Sequence, residues 1–348
     1  MKNSDAPSKQ SSLRVNFILL QALLLWFIAS LSYAHQYLMR TSLATLSKSW
    51  SELLHINPEL LGWLAAGYFY VYLIMQPIAG ILIDIFNTRK IMIVASITVA
   101  ISCFLMAIST SFETLLATRI LSGLGGAFSL ARTLSLAKDN FSKKIFPIIN
   151  SLTLMFGALG VVLSGGPLFL LINKTSWSVT LVILAIISII IAVLFMLMPS
   201  SQQRNISSPK KSMKWKTFLT NIKQLGKLKV FWLICCFTTT LFLPVTLLSS
   251  FWLEIFEETT FHRHDTTIQF SSTLLFVGYI FGVLISGFLL FKYKNSKHIL
   301  LAACIVAAIS SFCLIFINLE KHFLINIHGS SPMVLDEAQL LRFRVFSL

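Results

Sequence analysis

Residues 80–90 read Gly80-Ile-Leu82-Ile-Asp84-Ile-Phe-Asn87-Thr-Arg89-Lys90, a short charged interruption between two long apolar runs at 59–83 and 91–110. Each run is long enough to cross roughly 30 Å of hydrocarbon as a helix. The same alternation recurs outward in both directions, giving further candidate spans at 17–38, 115–135, 147–171, 177–198, 231–253, 269–291 and 298–319. Of all residues 56% are hydrophobic and only 12% charged, and no soluble core needs that much apolar material. The expected fold class is an all-α integral membrane protein with nine spans, because a lipid-exposed backbone must satisfy its own hydrogen bonds.

The formal charge of +15 sits mainly in the short polar stretches. With the N-terminus in the cytoplasm, the inside segments carry nineteen basic residues, among them Lys2, Lys9, Arg14, Arg89, Lys90, Lys143 and Lys144. The outside loops carry Arg40, Lys48, Lys174 and Arg263, and the loop before the eighth span is acidic through Glu254, Glu257, Glu258 and Asp265. This asymmetry orients the chain and removes nucleic acid as the reason for the basic excess. The first run is longer than a signal-peptide core and eight more follow, so an uncleaved first span is the simpler reading. Cys103, Cys235, Cys236, Cys304 and Cys313 all fall within spans, as small core residues rather than disulfides or metal ligands.

Between Pro199 and Lys229 a Ser/Gln/Lys-rich stretch turns into a basic amphipathic pattern. Trp215, Phe218, Leu219, Ile222 and Leu225 recur at helical spacing against Lys214, Lys216, Lys223 and Lys227. An interfacial helix on anionic headgroups fits this pattern, and calmodulin-like partner binding would produce the same one. The expected organisation is a cytoplasmic N-terminus at 1–15, a six-helix bundle at 16–198 and a basic linker at 199–230. A partial second bundle follows at 231–319, then a non-spanning tail at 320–348.

The 80–90 stretch resembles the loop between helices 2 and 3 of major facilitator superfamily transporters. Gly80, Leu82, Asp84, Arg89 and Lys90 match its Gly-x-Leu-x-Asp-x-x-Gly-x-Arg-Lys pattern, with Asn87 in place of glycine. Asparagine is the non-glycine residue that best tolerates a left-handed turn, so the departure from the pattern is mild. The resemblance implies a cytoplasmic gate at this loop. Arg119-Ile-Leu-Ser-Gly123-Leu-Gly125 similarly follows the family's helix 4 pattern. Arg119 is either a polar anchor near the transport path or an outer-interface snorkel. Gly157, Gly160, Gly165, Gly166 and Pro167 are similar to an exporter signature in helix 5, and close helix packing explains them equally.

In the first span Tyr33, Tyr37 and Arg40 fall at i, i+4 and i+7 and share one face. The surrounding sequence resembles helix 1 of organophosphate and organic-anion transporters, which implies that these residues line the solute site. Tyr72 matches a binding tyrosine in helix 2, and Gln76 stands where those relatives carry lysine. With one cation rather than several, a monoanion or zwitterion such as an amino acid, small peptide or carboxylate suits the site better than a phosphate ester. The other reading is an interfacial belt of tyrosines with Arg40 as a snorkel.

No carboxylate lies mid-span, and His35, near the outer end of the first span, is the one histidine well inside a span. Enzyme constellations are absent from membrane-compatible positions, and His262-Arg-His264-Asp265 reads as an exposed loop rather than a metal site. No cofactor is expected. The resemblance implies a complete six-helix N-terminal half, about three helices of the C-terminal half, and a monomeric carrier of small-molecule solutes in a bacterial inner membrane, working as an importer or an exporter by alternating access. The tail after Leu319 also admits a truncated, transport-inactive chain. From the charge asymmetry, a periplasm-dependent reporter enzyme should be active when fused within 254–265 and silent when fused within 199–229. Equal activity at both sites would reverse or abolish the orientation.

Overall fold

The computed structural model describes residues 9–54, 56–198, 220, 223–247, 267–293, 297–310 and 312. Residues 199–219 of the expected linker, which hold the first part of its amphipathic helix, the His262–Asp265 cluster and the tail beyond 319 lie outside the described residues. The described chain is helical: α1 (Lys9–Leu54), α2 (Pro58–Ile85), α3 (Thr88–Ala107), α4 (Phe112–Gly126), α5 (Ser129–Asn140), α6 (Phe146–Ser164), α7 (Gly166–Lys174), α8 (Trp177–Leu197), α9 (Lys229–Leu247) and α10 (Thr267–Lys292). A shorter apolar helix, α11, covers Lys297–Ser310. Among the described residues seven stretches are long and apolar enough to cross a membrane, with α4–α5 and α6–α7 each counting as one.

The first span is longer than its sequence suggested. Helix α1 continues through Arg40 to Leu54, and its candidate span is Leu19–Ser47. Polar residues are tolerated there because they bond at once. Ser42 donates to the Met39 carbonyl at 3.0 Å and Ser47 to Ala44 at 2.6 Å, so neither hydroxyl is left dry in the bundle. Thr41 bonds both the Tyr37 carbonyl and the Ser164 hydroxyl. The fifth span breaks at Gly165 (φ −84°, ψ −119°), and Pro167 opens α7. Its freed groups are answered by neighbours: Thr45 donates to the Ser164 carbonyl at 2.6 Å, and the Gly166 amide donates to Thr273 of α10 at 3.3 Å.

The turn at 86–87 does not use asparagine's tolerance of a left-handed turn. Asn87 is extended (φ −64°, ψ 131°), not left-handed, and caps α3 by accepting the Arg89 amide at 3.0 Å through Oδ1. Asparagine fits because a short side-chain oxygen is what an N-cap needs, not because it tolerates positive φ.

The first six spans form one bundle in which α1 packs on α6, α3 on α8 and α4, and α2 on α4. One core cluster gathers Met39, Leu46, Trp50, Leu64, Cys103, Leu115 and Leu181; another, toward Asn87, gathers Leu25, Ile28, Met92, Ile191 and Phe195. The opposite faces carry exposed Leu73, Ile74, Val94, Phe104, Ile186 and Ile190, as lipid contact requires. Helix α10 lies along α6 and joins the second half to the first: Phe276 is buried with Ala158 and Val161, with Tyr37 and Val245 beside them. At Gly287 a Cβ would come within 2.1 Å of Ser151 Oγ.

Helix α6 approaches α1 closely enough that a Cβ on Gly160 would stand 2.0 Å from the Ala34 carbonyl oxygen, a backbone atom that cannot swing away. Gly160→Ala should therefore cost about 3 kcal/mol, at the upper end of overpacking penalties. Gly62→Ala, where nothing lies within 4 Å, should be neutral or stabilising. Thermal unfolding in detergent checks the pair, and equal melting temperatures would remove the close contact from the account.

Candidate functional site

The site begins with Arg119, which is completely buried in α4. Its Nη1 donates to the Met39 carbonyl at 2.8 Å, Nη2 to Arg40 at 3.2 Å and Nε to Leu64 at 3.3 Å. The guanidinium thus ties α4 to the backbones of α1 and α2 and also lies 5.0 Å from the Tyr68 ring centroid. It is not a snorkel. A planar fork is the one side chain that can serve three diverging carbonyls from a single buried point. The glycines that follow it make the approach possible: a Cβ on Gly123 would sit 2.6 Å from the Tyr68 carbonyl oxygen, and one on Gly125 2.9 Å from that of Ala95.

Arg40 has a different environment. It is half-buried, with its guanidinium 4.9 Å from the Tyr37 ring and 4.8 Å from the Phe69 ring. Among the described residues no carboxylate pairs with it. Two aromatic faces support the charge without neutralising it and leave its donors available.

Tyrosines extend the site from Arg40. Tyr33 is buried and meets Tyr37 edge to face at 4.9 Å, while its other side rests on α6 where Gly157 leaves room. Tyr72 stacks on Tyr68 at 5.9 Å and pairs with Gln76 one turn on. Tyr68 is fully buried and accepts a hydrogen bond from Gln36 Nε2. From the second half Tyr279 of α10 packs into the cluster that contains Tyr37.

The structure therefore brings Tyr33, Tyr37, Arg40, Tyr72 and Gln76 onto neighbouring faces of α1 and α2. Gly80, Asp84, Arg89 and Lys90 lie apart, at the α2–α3 turn, where the Arg89 side chain donates to the Met196 carbonyl at the end of α8. The Asp84 side chain is not among those described. Sequence reasoning missed Gln36, Tyr68, Phe69 and Tyr279. Tyr68 was within reach of it, since Tyr68, Tyr72 and Gln76 form a helical stripe at i, i+4 and i+8. Among the described residues no group of three or more His, Cys, Asp or Glu could hold a metal ion.

A family model described as Major Facilitator Superfamily matches residues 25–333. The chain belongs to the Major Facilitator Superfamily. It is thus a multi-pass membrane protein of a transporter family. It is similar to a galacturonate transporter of Dickeya chrysanthemi, at 25% identity over 154 residues that make up 44% of this chain and 45% of the relative. It also resembles the crystal structure of a bacterial homologue of the human lysosomal transporter Spinster in an inward-facing, occupied conformation. That likeness has a TM-score of 0.58 at 17% identity and covers 78% of this chain and 62% of the other. The unoccupied form of the same homologue matches with the same TM-score over 77% of this chain. This chain spans about half to three-fifths of the length of these proteins.

Within this superfamily chain, Arg119 and Arg40 separate a structural from an available cation. Arg119→Lys, whose single ammonium cannot reach three carbonyls, should lower unfolding free energy by about 2 kcal/mol, the scale of one lost charge-assisted hydrogen bond. Arg40→Ala, which removes two aromatic contacts but no side-chain hydrogen bond among the described residues, should cost only about 1 kcal/mol. Thermal melts of both variants decide this, and the reverse order would make Arg40 the structural residue.

Proposed function

We propose that the chain carries a small organic monoanion, a carboxylate-bearing solute such as a sugar acid or amino acid, across a bacterial inner membrane by alternating access, with its N-terminus in the cytoplasm. The observation that carries this reading is the half-buried Arg40 guanidinium, set between two aromatic rings with no carboxylate partner among the described residues. A cation held within a span calls for a counter-charge, and a solute carboxylate supplies one through bidentate hydrogen bonds.

The hydroxyls of Tyr37, Tyr72 and Tyr279 and the amide of Gln76 suit a solute rich in hydroxyl or amine groups. The likeness to a galacturonate transporter supports a sugar acid first, with its carboxylate on Arg40 and its hydroxyls toward the tyrosines. Gln76 supplies a neutral donor and acceptor, which favours one negative charge over two. The two-sided construction of the site, with Tyr37 on α1 and Tyr279 on α10, supports alternating access. The α2–α3 turn serves as the gate at the cytoplasmic end. The glycines of α6 act in close packing against Tyr33 and Ala34, which favours the packing role over an exporter signature.

The test is counterflow in proteoliposomes with labelled galacturonate, neutral galactose and a panel of amino acids. Uptake of the acid should be saturable, and Arg40→Ala should raise its half-saturation concentration about 10- to 100-fold, the value of a charge-assisted hydrogen-bonded pair. Arg40→Lys should fall between. Exchange of acid and neutral sugar at equal rates, or an Arg40→Ala variant indistinguishable from the parent, would overturn the anion reading.

A further inference from the structure

Behind the tyrosines, between α1, α3, α5 and α8, lies a second polar site that the solute reading does not use. Ser32, His35, Gln36, Ser96, Ser129 and Ser188 line a cavity of about 10 Å³, room for a single water molecule. Gln36 and Ser96 are 2% and 5% exposed, and Gln36 Oε1 and Ser96 Oγ have no hydrogen-bond partner. An unpaired buried oxygen is expensive, and two facing one water-sized space point to an occupant. The His35 ring is directed by its Nε2, 3.1 Å from the Leu184 carbonyl, which makes Nε2 the donor and leaves Nδ1 as an acceptor 3.4 Å from Ser188 Oγ.

We propose that this cavity is a built site for one ordered water that bridges Gln36 Oε1 and Ser96 Oγ. The water fixes the Gln36 amide so that its other end, Nε2, donates to the Tyr68 hydroxyl. The lining chemistry selects water over a cation. Every lining group is neutral, no carboxylate is among them, and the hydroxyls and imidazole offer donors as well as acceptors. A bare cation would lose its hydration without gaining a counter-charge. The Arg119 guanidinium on the Tyr68 ring adds repulsion from the other side of the Gln36–Tyr68 pair. A water donates to Gln36 Oε1 and exchanges with the serine hydroxyl, satisfying both at once. The chain of contacts runs from α3 through the water to Gln36, then to Tyr68, which stacks on Tyr72. Gln36 and Ser96 are therefore positioning residues for the tyrosine face, and this holds whichever solute is carried.

The test uses the full chain. A high-resolution crystallographic map should show a density peak within hydrogen-bonding distance of both Gln36 Oε1 and Ser96 Oγ. Ser96→Ala keeps the space and should shift the melting temperature by no more than about 1 °C, whereas Ser96→Val fills it and should lower it by about 2–4 °C. In a Tyr68→Phe background the valine loss should shrink by about half or more, because the relay is already cut. Replacing sodium by choline should change nothing. An empty cavity, a valine variant as stable as the parent, or a full valine loss in the Tyr68→Phe background overturns the proposal. A melting temperature that rises with sodium overturns it in favour of a bound cation. The map decides the question even where the valine variant does not fold.

Discussion

A guanidinium placed inside hydrocarbon needs a partner on each nitrogen, and Arg119 meets that demand with the carbonyls of Met39, Arg40 and Leu64. Much of the site geometry follows from this. The bond to the Arg40 carbonyl holds the backbone of the very residue whose side chain is left free, and the contact with Tyr68 orients the ring on which Tyr72 stacks. Gly123 and Gly125 are the sequence cost of that arrangement, since α4 can bring the arginine to the carbonyls only if its own surface is bare where it crosses α2 and α3.

The second constraint is the pairing of α6 with two partners. On one side Gly157 and Gly160 receive Tyr33 and the α1 backbone; on the other Ser151 meets Gly287, and Ala158 and Val161 meet Phe276 of α10. A helix this thin transmits position well because side chains do not cushion it. The contact also explains why Tyr37 and Tyr279, from different halves, end in one cluster. The break at Gly165 adds a polar tie between the halves, through the Gly166 amide and Thr273.

The membrane architecture was legible because apolar length is a strong signal, and the family patterns fixed which helix was which. Arg119 stood out as a charge within a span, either anchor or snorkel, but sequence spacing offered no way to know that its donors end on α1 and α2, since those carbonyls belong to every residue type alike. The end of the first span was misjudged at 38. A run of Arg40, Thr41, Ser42, Thr45 and Ser47 looks like a boundary until the hydroxyls are seen bonding to nearby carbonyls and to Ser164. Asn87 was recognised as the right residue for the wrong reason, because a cap and a left-handed turn both favour asparagine and only φ separates them. Tyr279 carried no signal of its own, being one aromatic among many in an apolar helix.

Arg40 and Arg119 differ in one physical respect that decides their roles. Both are cations on helices of the same bundle, yet one is fully buried with three carbonyl oxygens bonded to it, and the other is half-buried on two aromatic faces. Carbonyls answer a guanidinium through directed hydrogen bonds and fix it in place. A ring answers only the charge, through its quadrupole, and leaves the N–H groups unspent. A binding cation in a membrane needs that incomplete satisfaction: enough support to be kept in the span, and enough left unpaired for an incoming carboxylate to be worth more than the water it displaces. The aromatic pair around Arg40 meets both requirements of the proposed binding role, and the proposed water behind the tyrosines would keep their supporting face rigid while the guanidinium itself stays free.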